Sequence, residues 1–139
     1  MKKTFGILTG LFITINLVGC ASSAPVEEVP YVSQKVDLAT EMRTISASLQ
    51  AFNQASDATS AKTALKQLRT AVERSQYVVP NTIAVSDTAK VSAYMGDLTA
   101  MLNIIDQANT LVDAAKLAEA KNLIKQLDPI KDKAHQAYR

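Results

Sequence analysis

Cysteine occurs once in this 139-residue chain, at Cys20, and histidine once, at His135. Tryptophan is absent, and Gly96 is the one glycine after residue 20. Each scarcity excludes something. A lone cysteine forms no intrachain disulfide, so the fold must rest on its apolar core. A lone histidine with no evident carboxylate to orient it leaves no nucleophile–base pair for covalent catalysis. No Glu-x-x-His pair occurs, which removes the carboxylate-bridged metal pattern of helical bundles. No glycine-rich phosphate loop is present. Charge of one sign is also missing: the formal net charge is +2, and Lys2 and Lys3, in an opening stretch without acids, account for it. A balanced remainder gives no reason to expect a nucleic-acid partner. No segment sustains the period-two alternation of a half-buried strand.

Helical periodicity is what the chain has, and it begins only after an unusual leader. Lys2 and Lys3 precede the apolar stretch Gly6 to Val18, which is short for a membrane span and ample for a signal peptide. Leu17-Val18-Gly19-Cys20 is similar to a bacterial lipobox. The resemblance implies cleavage before Cys20, lipid on that cysteine and a periplasmic protein held to a membrane. Residue 21 is Ala rather than Asp, which in a Gram-negative cell implies sorting to the outer membrane. The plainer alternative is an ordinary secretory signal with Cys20 a free thiol. Residues 1–19 are thus expected to be a lipoprotein signal peptide. Residues 20–36, with Pro25 and Pro30 and little periodicity, form the lipidated cysteine and a flexible tether. Fully extended, such a tether reaches roughly 50 Å.

Residues 37–139 read as one all-α domain, a four-helix up-down-up-down antiparallel bundle. The first helix is expected over about Asp37–Ala55, with Asp37 as N-cap and Leu38, Met42, Ile45, Leu49 and Phe52 as its inner stripe. After the turn Ser56–Thr59, a second helix over about Ser60–Tyr77 presents Ala61, Ala64, Leu65, Leu68 and Val72. Pro80 and the β-branched run around it make 78–85 the long connection. A third helix runs from Ser86 or Asp87 to about Ala114, with Val91, Tyr94 or Met95, Leu98, Met101 or Leu102, Ile105, Ala108 and Val112 inward. The fourth starts near Lys116 and continues to the end, its stripe including Ala120, Ile124, Leu127, Lys131, Ala134 and Tyr138. Pro129 lacks the N–H that would bond Lys125 and is expected to kink it. Carboxylates are expected mainly on outer faces.

In such a bundle the start of the first helix and the end of the fourth lie side by side. Met42 and His135 therefore come to one end of the core. A thioether opposite an imidazole is an established axial pair for haem iron, and without a C-x-x-C-H motif any haem is held non-covalently. Taken singly, Met42 is ordinary core filler and His135 an ordinary solvated residue near a helix C-terminus. A small metal site on His135 and Asp132 would be thin, with two ligands at most.

Asp37-Leu38 to Met42, Ala64-Leu65-Lys66-Gln67-Leu68-Arg69, and the closing Ala134-His135-Gln136-Ala137-Tyr138-Arg139 resemble the soluble cytochrome b562 family over about residues 36–139. The resemblance implies non-covalent haem b with Met42 and His135 as the iron's axial ligands. It places Pro80 beside the haem, Tyr94 and Leu98 at the family's aromatic wall positions, Lys131 where an arginine is usual, and Arg139 near a propionate. Function by resemblance is electron transfer in the cell envelope with an unidentified redox partner, and no enzymatic activity. The competing expectation is a haem-free lipoprotein bundle with a structural or adaptor role.

Overall fold

The computed structural model describes residues 35–138, and these are helical without strands. The signal peptide, Cys20 and nearly all of the tether lie outside the described residues, as does Arg139. The elements are α1 (Leu38–Gln54), α2 (Ala58–Ser75), α3 (Thr88–Asp113), α4 (Leu117–Ile124) and α5 (Leu127–Tyr138), with α4 and α5 together forming the fourth helix of a four-helix bundle. Among the described residues no helix is long and apolar enough to cross a membrane.

Three aspartates start three helices. Asp37 accepts from the Ala39 N–H at 3.2 Å, Asp57 from the Ser60 N–H at 2.8 Å, and Asp87 from the Lys90 N–H at 3.1 Å. Each satisfies a backbone donor that the first helical turn leaves without a partner. Helix α2 thus starts two residues earlier than the sequence suggests, because Asp57 caps it rather than filling the turn. Between α3 and α4 the chain reverses within three residues. The Lys116 N–H donates to the Leu111 carbonyl at 2.8 Å, and Ala115 takes φ 60. That closure is a Schellman turn with alanine where glycine is usual.

Cross-bundle pairs define the topology. Arg74, at the end of α2, pairs with Glu41 at the start of α1. Lys62, early in α2, pairs with Asp113 at the end of α3. Lys121 of α4 donates to the Asn53 and Ala55 carbonyls, at 2.9 and 2.7 Å, closing the C-terminus of α1. Lys133, late in α5, meets Asp97, early in α3. Each pair joins one helix's beginning to its neighbour's end, so successive helices are antiparallel.

Most of the expected stripe positions form the core. Ile45 and Phe52, the α2 face with Ala71 added, Tyr94, Leu98, Met101, Ile105, Ala108 and Val112, and Ala120, Ile124 and Leu127 are buried. Met42, Leu49, Val91 and Tyr138 pack against them half-buried, and Lys131 and Ala134 are half-buried. Burying a side chain the size of Phe52 or Leu68 contributes about 1.5–3 kcal/mol. The alanines of α2 let its neighbours come close. Helix α1 packs on α2, α2 on α3, and α3 on both α4 and α5, whereas α1 and α5 make few close backbone approaches.

The fourth helix is broken rather than bent. It turns at Lys125–Gln126, and Pro129 falls in the first turn of α5, where a missing N–H costs nothing. The Lys125 carbonyl accepts instead from the Asp128 N–H at 3.2 Å. The expectation that carboxylates lie outward fails at Glu41, 6% exposed, and at Asp97, whose side chain is 15% exposed.

Candidate functional site

The gap between α1 and α5 is a cavity. It holds about 680 Å³ of empty space, part of it open to solvent. Helix α1 supplies Leu38, Met42 and Ile45, α3 supplies Tyr94, Asp97, Leu98 and Met101, α5 supplies Lys131, Ala134, His135 and Tyr138, and Pro80 closes one side from the long connection. Helix α2 contributes nothing to the lining; it supports α1 and α3 from behind. Ile45, Leu98 and Met101 are buried core residues whose inner edges form the cavity floor. Met42 is half-buried and His135 is exposed, so the imidazole belongs to the mouth and the thioether to the wall.

Met42, Tyr94, Leu98, Lys131 and His135, singled out from the sequence, therefore line one cavity although they come from three helices. Arg139 and Cys20 lie outside the described residues. Lys131 is half-buried on the cavity edge, with its Nζ 3.2 Å from Asp128 Oδ1.

Sequence reasoning did not find Asp97, and it placed Met101 and Tyr138 only in core stripes. Asp97 sits between Tyr94 and Leu98, one step off the inward stripe, and a carboxylate there ordinarily points to water. What turns it inward is tertiary. Tyr138 Oη donates to Asp97 Oδ2 at 3.0 Å, and Lys133 Nζ donates to Asp97 Oδ1 at 2.9 Å. The Tyr138 ring meets that of Tyr94 edge to face, with centroids 5.4 Å apart at 86°. Tyr94 Oη in turn donates to the buried Ser75 carbonyl at 3.1 Å. Burial, followed by the neighbouring Tyr138 phenol, pushes the Tyr94 hydroxyl up to about 12. Burial and the Asp97 carboxylate also raise Tyr138. Both phenols hold their protons throughout the neutral range.

The chemistry of the lining fits a mostly apolar group carrying a soft or borderline metal. Its walls are aliphatic and aromatic, its possible ligands are a thioether and an imidazole, and a lysine stands at its edge for an acidic substituent. The donor set does not suit a hard cation. Among the described residues no group of three or more histidine, cysteine, aspartate or glutamate side chains is placed to hold a metal ion, so His135 and Asp132 find no third ligand.

Fold and lining together define the class: a four-helix bundle with a mostly apolar end cavity whose lining includes Met42 and His135. The cytochrome b562 family model matches residues 37–139, and the chain belongs to that family. The family comprises haem-binding electron carriers. No curated protein matches the chain.

Proposed function

We propose that the domain binds haem b non-covalently between α1 and α5 and carries single electrons, with Met42 Sδ and an imidazole nitrogen of His135 as axial ligands. One observation supports this above the rest: Met42 and His135, from opposite ends of a domain of the cytochrome b562 family, line the same apolar cavity. Haem, when bound, supplies a one-electron iron couple. Two protein ligands leave no axial position for a substrate, which favours electron transfer over catalysis. A thioether opposite an imidazole raises the reduction potential. Ile45, Leu98 and Met101 keep water off the floor, and low polarity favours the less charged, reduced form. Lys131 holds a positive charge at the edge for a propionate, as a point charge rather than the planar fork of an arginine. Arg139, the last residue, is a second such partner. Tyr94 and Pro80 line the cavity's sides. In the cell, lipid on Cys20 holds the domain to a membrane facing the periplasm, within reach of a partner protein that exchanges electrons with it.

Adding haemin to the purified wild-type domain tests the reading. A sharp low-spin spectrum is expected, lost in His135→Ala and converted to a high-spin form in Met42→Ala. No spectral change in the wild type overturns it. Anchoring is tested separately with the full-length chain: Cys20→Ser should move the protein out of the membrane fraction. A haem-free scaffold is the second reading, favoured by the exposure of His135. It requires a melting temperature that ignores haemin, since a ligand selective for the native state must raise it.

A further inference from the structure

Helix α5 carries the imidazole, yet its own chain connection does little to aim it. The break at Lys125–Gln126 interrupts the hydrogen-bond ladder from α4, and Pro129 prevents its repair. Leu127, the first residue of α5, is its one buried side chain. Beyond it the helix leans mainly on α3, with Ile130 and Tyr138 half-buried against the core. Apolar burial is thus concentrated at the near end of α5, and His135 is at the far end.

Two groups hold the far end: the Thr82 hydroxyl of the long connection donates to the Tyr138 carbonyl at 2.5 Å, and the Asp97 carboxylate of α3 takes two side-chain bonds. Asp97 accepts from Lys133, two residues before His135, and from Tyr138, three residues after it. The two bonds are unequal. Lys133 is 65% exposed, and a pair with so much solvent around its cation contributes little. The phenol bond is shielded: Asp97 is 15% exposed and Tyr138 is half-buried against the Tyr94 ring. A hydrogen bond to a charged acceptor in such a place is among the stronger ones in a protein. Tyr94 is itself fixed to the end of α2 through the Ser75 carbonyl. A continuous path of side chains therefore runs from α2 through α3 to the last turn of α5.

We propose that Asp97 is a positioning residue, a latch on α3 that grips Tyr138 and thereby sets His135 of the hinged α5 at the mouth of the cavity. Its role toward the imidazole rests on the haem-binding reading above. Its mechanical role does not, and the two separate in experiment. The first measurement is amide hydrogen exchange on the haem-free protein. Asp97→Ala and Tyr138→Phe should each speed exchange over residues 130–138 by roughly tenfold, the worth of one hydrogen bond to a charged acceptor, while the α2 and α3 amides stay protected. Asp97→Asn keeps an acceptor for the phenol and should stay within a few-fold of wild type. Unchanged exchange over 130–138 in both Asp97→Ala and Tyr138→Phe overturns the latch, whatever haem does.

The second measurement is a haemin titration. Asp97→Ala should bind with a reduced low-spin fraction that added free imidazole restores, because the cavity is intact and only the ligand is misplaced. Asp97→Asn should recover most of the low-spin signal without imidazole. A full low-spin spectrum in Asp97→Ala, equal in affinity to wild type, overturns the positioning role. Failure of the haem reading shows itself earlier, as a wild type without any spectral change. Should Asp97→Ala fail to fold, Tyr138→Phe, which keeps the ring against Tyr94, carries both measurements.

Discussion

Arg74→Ala is expected to destabilise the haem-free domain by about 2 kcal/mol, between the 0.2–1 kcal/mol of an exposed ion pair and the 3–5 kcal/mol of a broken buried one. The intermediate value follows from an asymmetric pair. Arg74 Nε lies 2.9 Å from Glu41 Oε1, the Glu41 side chain is 7% exposed, and that of Arg74 is 41% exposed. Removing the guanidinium strands a carboxylate that water barely reaches. The groove beside it, lined by Thr40, Thr44 and Lys66, limits the penalty by admitting solvent and a second cation. For a domain near 100 residues, 2 kcal/mol lowers the melting temperature by about 8–16 °C. Glu41→Met removes the stranded charge while keeping the volume. The double variant Glu41→Met/Arg74→Ala should then be more stable than Arg74→Ala alone by at least about 1 kcal/mol. Urea denaturation of the four proteins reads this directly. An Arg74→Ala variant within about 0.5 kcal/mol of wild type, the usual range for a surface change, refutes the reasoning, as does a double variant no better than the single one. The pair also has a structural consequence: it ties the first turns of α1, where Met42 follows Glu41, to the last turn of α2.

Ala115→Gly should stabilise the domain by about 1 kcal/mol and raise its melting temperature by about 4–8 °C, because φ 60 strains any residue with a Cβ; an unchanged or lower melting temperature speaks against that strain. Tyr94 keeps its proton up to about 12 in the folded state against an ordinary value near 10, so the stability it contributes is present below about pH 10 and is lost as pH rises toward 12. Absorbance titration should show one tyrosine ionising only at that upper end, absent in Tyr94→Phe, and simultaneous ionisation of all tyrosines near pH 10 contradicts it.

Much of the domain was legible along the chain. The three- and four-residue spacing from Leu38 to Phe52 and from Tyr94 to Val112 marks inward faces, because a helix turns every 3.6 residues and can bury only one stripe. The long connection was legible at Pro80, and the weakness of the fourth helix at Pro129. Met42 and His135 stood out because each is placed where an antiparallel path returns to its start. The resemblance of both chain ends to the cytochrome b562 family agreed with the family model over residues 37–139. Glu41 and Asp97 were not legible. A carboxylate beside an apolar stripe reads as solvated, and what draws each inward, Arg74 in one case and Tyr138 with Lys133 in the other, is far away in sequence. The start of α2 was misplaced because Asp57 reads equally well as a turn residue or as a cap, and only its bond to the Ser60 N–H decides.

Amino-acid order alone determined the all-helical class, the succession of helices and the faces they bury, since propensity, capping and apolar spacing are local and act within a few residues. The space between α1 and α5, the break that frees α5 from α4, and the carboxylate that holds its far end were decided by tertiary structure. A cavity is a property of distances between elements, and a buried charge persists only where a distant partner offsets its lost hydration.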